Sequence, residues 1–440
     1  KVHQKKMPIE YLEIQGLHGS KNIKIKFKSS NLILVGENGS GKTTLLNILF
    51  FVLTKKWLKL SRINFKKVLI KFPDKLLEID SQLLLTTYAP GLIDLFEGKL
   101  NNDDLLRIFH YSQTRPPGSF RNYLKRISFE KNLDIPFSEL VEIFDEGHFS
   151  LKGRNLYTKK VKEIEEIIDE NYKLKTLYFP TYRRVEEDFN NLILSSHGEY
   201  KRYEQLINFG MQDVHESFNN ITREIKDSYT EWFSIITSRM LSQMINNIDS
   251  SLIDYKSILD KETLSIVLDR VGNEIGESEK MIIIHLVESK KIKEKSHIYL
   301  AYFLQNLIKV YENQRENDDS IKNFTRIVNN YLVDKEVSYD ERKVEISITN
   351  KSTGKTVELN NLSSGEKQIV SIFSKLYLEK ISDVSFFIDE PELSLSIDWQ
   401  RRFLLDISKS PKVKLLIATT HSPFIFENEL DKFAEPLGKY

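Results

Sequence analysis

Apolar and polar residues alternate along Tyr11 to Ile14 and Ile23 to Phe27, on either side of Gly16 and Gly19. Period two interrupted by glycines predicts an antiparallel hairpin. The run Leu32 to Val35 is apolar throughout and reads as a buried strand, and Thr44 to Leu53 as an apolar-faced helix behind it. Val68 to Phe72 and Leu76 to Ile79 flank Pro73-Asp74 as a second hairpin. From Ser81 to Glu170 the pattern breaks into short helices and loops, with a turn-rich interruption at Arg115 to Ser119. Thr176 to Pro180 is a short strand.

Beyond it the period lengthens. Phe218, Ile221, Ile225, Tyr229, Trp232, Ile236, Met240 and Met244 recur at steps of three and four, an amphipathic helix without a sustained heptad. Helical patches follow at Leu264 to Ile275, Lys280 to Glu288, His297 to Glu312 and Phe324 to Leu332. Then Val344 to Ile348 alternates, Asn350 to Gly354 turns, and Thr356 to Leu359 returns as a strand. Two apolar strands close the series, Val384 to Ile388 and Lys414 to Thr419.

Composition narrows the classes. At 440 residues, 40% hydrophobic and 29% charged, the chain buries a sizeable core and is not largely disordered. A formal net charge of +1 leaves any nucleic-acid surface to a local patch. Without cysteine there is no disulfide, thiolate nucleophile or zinc–thiolate site, which suits a cytoplasmic location. No apolar run approaches the ~20 residues of a membrane-spanning helix, so no membrane contact is expected.

The candidate chemistry begins at Gly36-Glu37-Asn38-Gly39-Ser40-Gly41-Lys42-Thr43, between the Leu32 strand and its helix. Glycines let successive N–H groups turn inward on phosphate oxygens, and the helix start adds its positive end. Lys42 reaches the β- and γ-phosphates, Thr43 ligates Mg²⁺, and Thr44 continues the first turn. A ligand-free glycine turn is the bland alternative. Much later, Leu362 to Gln368 carries a helix-start signature. Ser363 or Ser364 can cap, and Glu366 lies in the first turn. The Val384 strand ends in Asp389-Glu390, where a carboxylate for Mg²⁺ (Asp389) and a base for the attacking water (Glu390) belong. His421 follows the last strand, where open α/β sheets bind ligands.

Phosphate loop, LSSGEKQ, FFIDEPE and TTHSP stand in the order used by ABC-type ATPases, and the chain resembles their soluble branch: SMC proteins, RecF-like repair ATPases, and OLD-like and Septu ATPases. Residues 8 to 55 and 325 to 430 carry the resemblance. FPTYRR and NFGMQDV, Asn208 to Val214, are similar to Septu and retron-associated ATPases. The implied fold is α/β: an ABC-type head, a mixed sheet with flanking helices, carrying a mainly helical insertion. Expected divisions are 1–182, insertion 183–323, and 324–440. The resemblance implies two ATPs held between two heads, with Ser364, Gly365 and Glu366 acting in trans and Ser363 counted with them as nucleotide-binding. His421 then contacts the γ-phosphate, and Glu392 to Ser396 signals across the dimer. The usual Q-loop glutamine is missing, and Thr181 to Arg184 stands near its place. The Arg183-Arg184 pair reads equally as a solvated loop or a phosphate contact.

The spacing from Lys42 to Ser364, 364 − 42 = 322 residues, exceeds what one small transporter subdomain fills, which favours the SMC-like branch. Asn350-Lys351-Ser352-Thr353 lacks the aspartate of a guanine motif, so ATP is expected over GTP. The resemblance further implies a homodimer or higher oligomer joined by ATP and a separate HNH-type nuclease regulated in anti-phage defence. In the retron case a reverse transcriptase with its noncoding RNA or DNA accompanies it. No HNH pattern and no Toprim domain are expected here. The alternatives are a RecF/SMC-type repair ATPase and a scaffold that uses ATP as a staple. Lys290, Lys291, Lys293 and Lys295 form a basic run, either a solvated face or a DNA contact.

Overall fold

The computed structural model describes residues 7–37, 39–88, 100, 104, 107–108, 111, 117–130, 159–180, 210–246, 251, 253–271 and 275–437. Asn38, Arg115-Pro116, Thr181 to Arg184 and Asn208-Phe209 lie outside the described residues. In chain order the first elements are β1 (Tyr11–Leu17), β2 (Lys21–Lys26), β3 (Asn31–Val35), α1 (Lys42–Leu53), α2 (Trp57–Leu60), β4 (Lys67–Lys71) and β5 (Leu76–Asp80). Then come α3 (Ser81–Tyr88), α4 (Pro117–Glu130), α5 (Lys159–Asn171), β6 (Lys175–Phe179), α6 (Met211–Asn246), α7 (Tyr255–Ile258), α8 (Lys261–Arg270) and α9 (Glu277–Glu288). The last are α10 (Ile298–Asn329), β7 (Lys335–Asp340), β8 (Glu345–Asn350), α11 (Ser364–Tyr377), β9 (Val384–Asp389), α12 (Ile397–Ser408), β10 (Val413–Thr420) and β11 (Ala434–Pro436). Among the described residues no helix is long and apolar enough to cross a membrane.

Two compact units emerge, Lys1–Ile207 with Ser382–Tyr440, and Asn208–Ile381. The expected divisions at 182 and 323 do not coincide with these. The LSSGEKQ helix, α11, groups with the helical unit rather than with the strand that ends in Asp389.

The first unit holds two sheets. One is parallel, in the order β11-β3-β10-β9-β6. Every residue of β9 is buried, and so are the last six of β10. Strands covered on both faces must be apolar without alternation, which is why VSFFI and LLIA read as continuous runs. The other sheet is antiparallel, β2-β1-β4-β5, and contains both expected hairpins. Its strands alternate because only one face meets the core. Helix α1 packs on β6, β9 and β10. Its Leu45, Leu46, Ile48 and Leu49 are fully or almost fully buried in one cluster with Leu12 and Ile14 of β1 and Ile417 of β10.

In the second unit, α6 and α10 run antiparallel, with Phe218 against Phe324 and Phe233 against Phe303. Helix α10 is one continuous helix where the sequence suggests two. The polar stretch Asn313 to Ser320 contains no glycine or proline, and its Asp318 points inward to a 2.6 Å pair with Arg270, both side chains 1% exposed. The Tyr339 hydroxyl also donates to Asp318. Burial pushes the tyrosine hydroxyls here up, that of Tyr229 to about 12. The expected hairpin is also re-paired: β8 takes β7 as its partner, and Thr356 makes only a bridge to Thr349. The polar sequence KEVSYD of β7 hides a strand that Asn329 holds through its amide, bonded to both N–H and C=O of Val337. Asn350 closes the following turn, its side chain accepting from Ser352 and Thr353 N–H.

Candidate functional site

Because β3, β9 and β10 are parallel, their C-terminal ends share one edge, with β10 between the other two. That register brings Val35, Asp389 and Thr420 to the same rim, and the loops that follow them build the site.

From Val35 the chain turns through Gly39 and Gly41, at φ +76° and +102°, conformations open to glycine. Gly36 is small for another reason. A Cβ there would meet the Leu437 carbonyl oxygen at 2.6 Å, where β11 pairs with β3. Helix α1 starts at Lys42 with Gly41 as its cap, no capping side chain and no acidic residue in its first turn. The N–H groups of Lys42, Thr43 and Thr44 thus face the loop without an intrahelical acceptor. The Ser40 hydroxyl is buried and has no partner among the described residues. An uncapped helix start and an orphaned buried hydroxyl suit a bound anion. Lys21 reaches over from the β1–β2 hairpin to the Gly39 carbonyl, 3.2 Å.

Lys42, 4% exposed, donates to the carbonyl oxygens of Gly36 at 2.6 Å and Glu37 at 3.1 Å. Its Nζ also stands 2.9 Å from His421 Nε2. Burial pulls the Lys42 ammonium below the usual lysine range, opposed by the nearby carboxylates of Glu390, Asp389 and Glu392. Thr43 Oγ1 donates to the Asp389 carboxylate, 3.0 and 2.9 Å from its two oxygens. Thr419 of β10 donates to the Oδ1 of the same carboxylate. The sequence places Thr419 in TTHSP without a role of its own; its position beside Asp389 follows from the β9–β10 register. Glu390 leaves the sheet at φ +49°, a left-handed turn uncommon for a non-glycine residue. Its N–H stays bonded to Thr419 O at 2.9 Å, and its carboxylate lies 3.5 Å from His421 Nε2. His421 therefore stands between Lys42 and Glu390.

The sequence model of the AAA ATPase domain family matches residues 7–426. The chain belongs to that family. No curated protein matches it. Among solved structures it is similar to the Smc head domain with an extended coiled coil, bound to the C-terminal domain of ScpA, from Pyrococcus furiosus. The identity is 16%, covering 95% of this chain and 90% of that one, with a TM-score of 0.35. A second is the Smc head bound to the C-winged helix domain of ScpA, at 13% identity over 95% and 91%, TM-score 0.37.

For an AAA ATPase domain the donor set is apt. Thr43 and Asp389 offer a hydroxyl and a carboxylate, the hard oxygen ligands Mg²⁺ takes, and no group of three or more His, Cys, Asp or Glu is poised to hold a metal among the described residues. Mg²⁺ is commonly held by one or two protein oxygens, with phosphates and water completing its shell.

The second unit of this AAA ATPase domain carries the LSSGEKQ segment. Ser363 is the cap of α11, and with Glu366 it forms a full capping box. Ser363 N–H donates to the Glu366 carboxylate at 2.8 Å, and Lys335 Nζ adds contacts of 2.9 and 3.1 Å. Glu366 is 8% exposed and engaged by these groups, so its carboxylate serves the helix start. Ser364 is exposed at the first turn and Gly365 follows it. Lys290, Lys291, Lys293 and Lys295 are all exposed between α9 and α10, and Lys293 lies over the Tyr255 ring.

Proposed function

We propose that this chain is an ABC-type, SMC-like ATPase that binds ATP with Mg²⁺ at residues 36–44 and hydrolyses it. One observation carries the reading: Lys42, Thr43, Asp389, Glu390 and His421 meet at one sheet edge. The contacts are Thr43–Asp389 at 2.9 Å, Lys42–His421 at 2.9 Å and His421–Glu390 at 3.5 Å. The loop amides and Ser40 hold the phosphates, and Lys42 exchanges its carbonyl partners for phosphate oxygens. Thr43 and Asp389 hold Mg²⁺, Asp389 mostly through water. Mg²⁺ supplies positive charge to the phosphate oxygens. Glu390 takes the proton of the attacking water, and His421 turns to the γ-phosphate.

In the same reading two copies close on two ATPs, with Ser363, Ser364 and Gly365 of each meeting the nucleotide of the other. The resemblance to Septu and retron ATPases supports control of a separate HNH-type nuclease in anti-phage defence, alongside a reverse transcriptase in the retron case. The exposed lysines 290, 291, 293 and 295 favour a second reading, a repair ATPase that acts on DNA.

Phosphate release by the purified chain tests the first claim. Wild type turns over ATP, while Lys42→Ala loses both turnover and calorimetric ATP binding; wild-type binding by Lys42→Ala refutes it. Phage challenge of cells carrying the native gene neighbourhood, with and without Lys42→Ala, and turnover with added DNA separate defence from repair.

A further inference from the structure

The loop that leaves β9 and the loop that leaves β10 are tied together by a side chain that the nucleotide reading does not use. Glu392 Oε1 accepts from His421 N–H at 2.7 Å and from Ser422 N–H at 3.2 Å. These are the first two residues past β10. Glu392 Oε2 is buried and has no partner among the described residues. A second tie runs beside the first. Gln400 of α12 donates to Leu395 O at 3.0 Å and accepts from Ser422 Oγ at 2.6 Å. Burying one carboxylate oxygen without a partner is costly, and the two backbone N–H bonds to the other oxygen offset part of that cost. Its charge also helps hold Lys42 in the ammonium form.

We propose that Glu392 is a positioning residue for His421: by holding the backbone N–H groups of His421 and Ser422, it sets where the imidazole stands between Lys42 and Glu390. The inference rests on the reading of His421 as the group that turns to the γ-phosphate. It has a consequence for coupling. The segment Glu392 to Ser396 cannot shift without carrying the His421 backbone with it, so a movement of that segment resets the imidazole.

The test uses the full chain as wild type, Glu392→Ala, Glu392→Gln, His421→Ala and Glu392→Ala/His421→Ala. Amide hydrogen exchange over Thr419 to Phe424 is read without nucleotide. In Glu392→Ala the His421 and Ser422 amides exchange on the order of tenfold faster or more. In Glu392→Gln they stay slow, because the amide oxygen accepts the same two bonds. Turnover is read next. Glu392→Ala lowers kcat on the order of tenfold with ATP affinity within about threefold of wild type, and Glu392→Gln recovers most of that loss. The double variant is no slower than His421→Ala, since the two act through one group.

Wild-type exchange at these amides in Glu392→Ala overturns the proposal whatever turnover does. So does a double variant whose losses multiply. If wild type hydrolyses no ATP, the ATPase reading fails by itself, and the exchange result still decides whether Glu392 positions His421.

Discussion

The Thr43 hydroxyl donates to the Asp389 carboxylate across 346 positions of sequence, 3.0 and 2.9 Å from its two oxygens. Strand β10 lies between β3 and β9, so the two side chains meet across its C-terminal end. A hydroxyl and a carboxylate held in this way are ready to share a hard cation.

The first prediction follows from that pair. Thr43→Val keeps the shape of the side chain and removes its oxygen. The Mg²⁺ concentration for half-maximal ATP turnover should rise on the order of tenfold or more, while binding of ATP in the absence of Mg²⁺ changes little. A magnesium titration of ATPase activity checks it. An unshifted titration takes Thr43 out of the metal site.

A second prediction concerns the start of α11. Burial pushes the Glu366 carboxyl up, but Ser363 N–H and the Lys335 ammonium outweigh it and hold the group below the usual carboxylate range. A depressed folded value means that the unfolded chain binds the proton more readily. The stabilisation is therefore complete above the unfolded value of about 4.3 and is lost as pH falls through the folded value. Glu366→Gln should cost about 1 kcal/mol at neutral pH, and the gap to wild type should narrow below pH about 4. Urea titrations of both proteins across that range measure it; a gap that does not change with pH contradicts the assignment.

The third prediction addresses the shared site. Gly365→Arg spoils the LSSGEKQ segment and Lys42→Ala spoils the phosphate loop. If each site uses one element from each copy, a mixture of the two inactive variants contains heterodimers with one intact composite site, and part of the ATPase activity returns. ATP should also drive Glu390→Gln into a tighter dimer, seen by sedimentation, and Gly365→Arg in that background should abolish the effect. A Gly365→Arg variant that still dimerises on ATP rules out sharing.

Much of the candidate site is legible before folding because its residue types are dictated by local chemistry. Glycines at 39 and 41 take positive φ, and an apolar run must precede Asp389 because β9 is covered on both faces. The partnerships among these residues are not legible. That His421 meets Lys42 depends on β10 sitting beside β3, and that Glu392 meets His421 depends on the β9–β10 register. Gaps in the helical unit have the same origin. No local pattern marks Asp318 as buried before Arg270, 48 positions away, is brought to it, or β7 as a strand before β8 and Asn329 claim its backbone. The order of residues along the chain carries local rules, while pairings set by topology escape it.

In the proposed reaction Glu390 is the base for ATP hydrolysis. Its carboxylate stands beside His421 at the end of a turn that puts Glu390 at φ +49°. Replacing that carboxylate by an amide of the same shape removes the proton acceptor and little else. The measurement is single-turnover ATP hydrolysis by Glu390→Gln beside calorimetric ATP binding. Hydrolysis should slow on the order of a hundredfold or more, with affinity within about threefold of wild type. Hydrolysis by Glu390→Gln at the wild-type rate would contradict it.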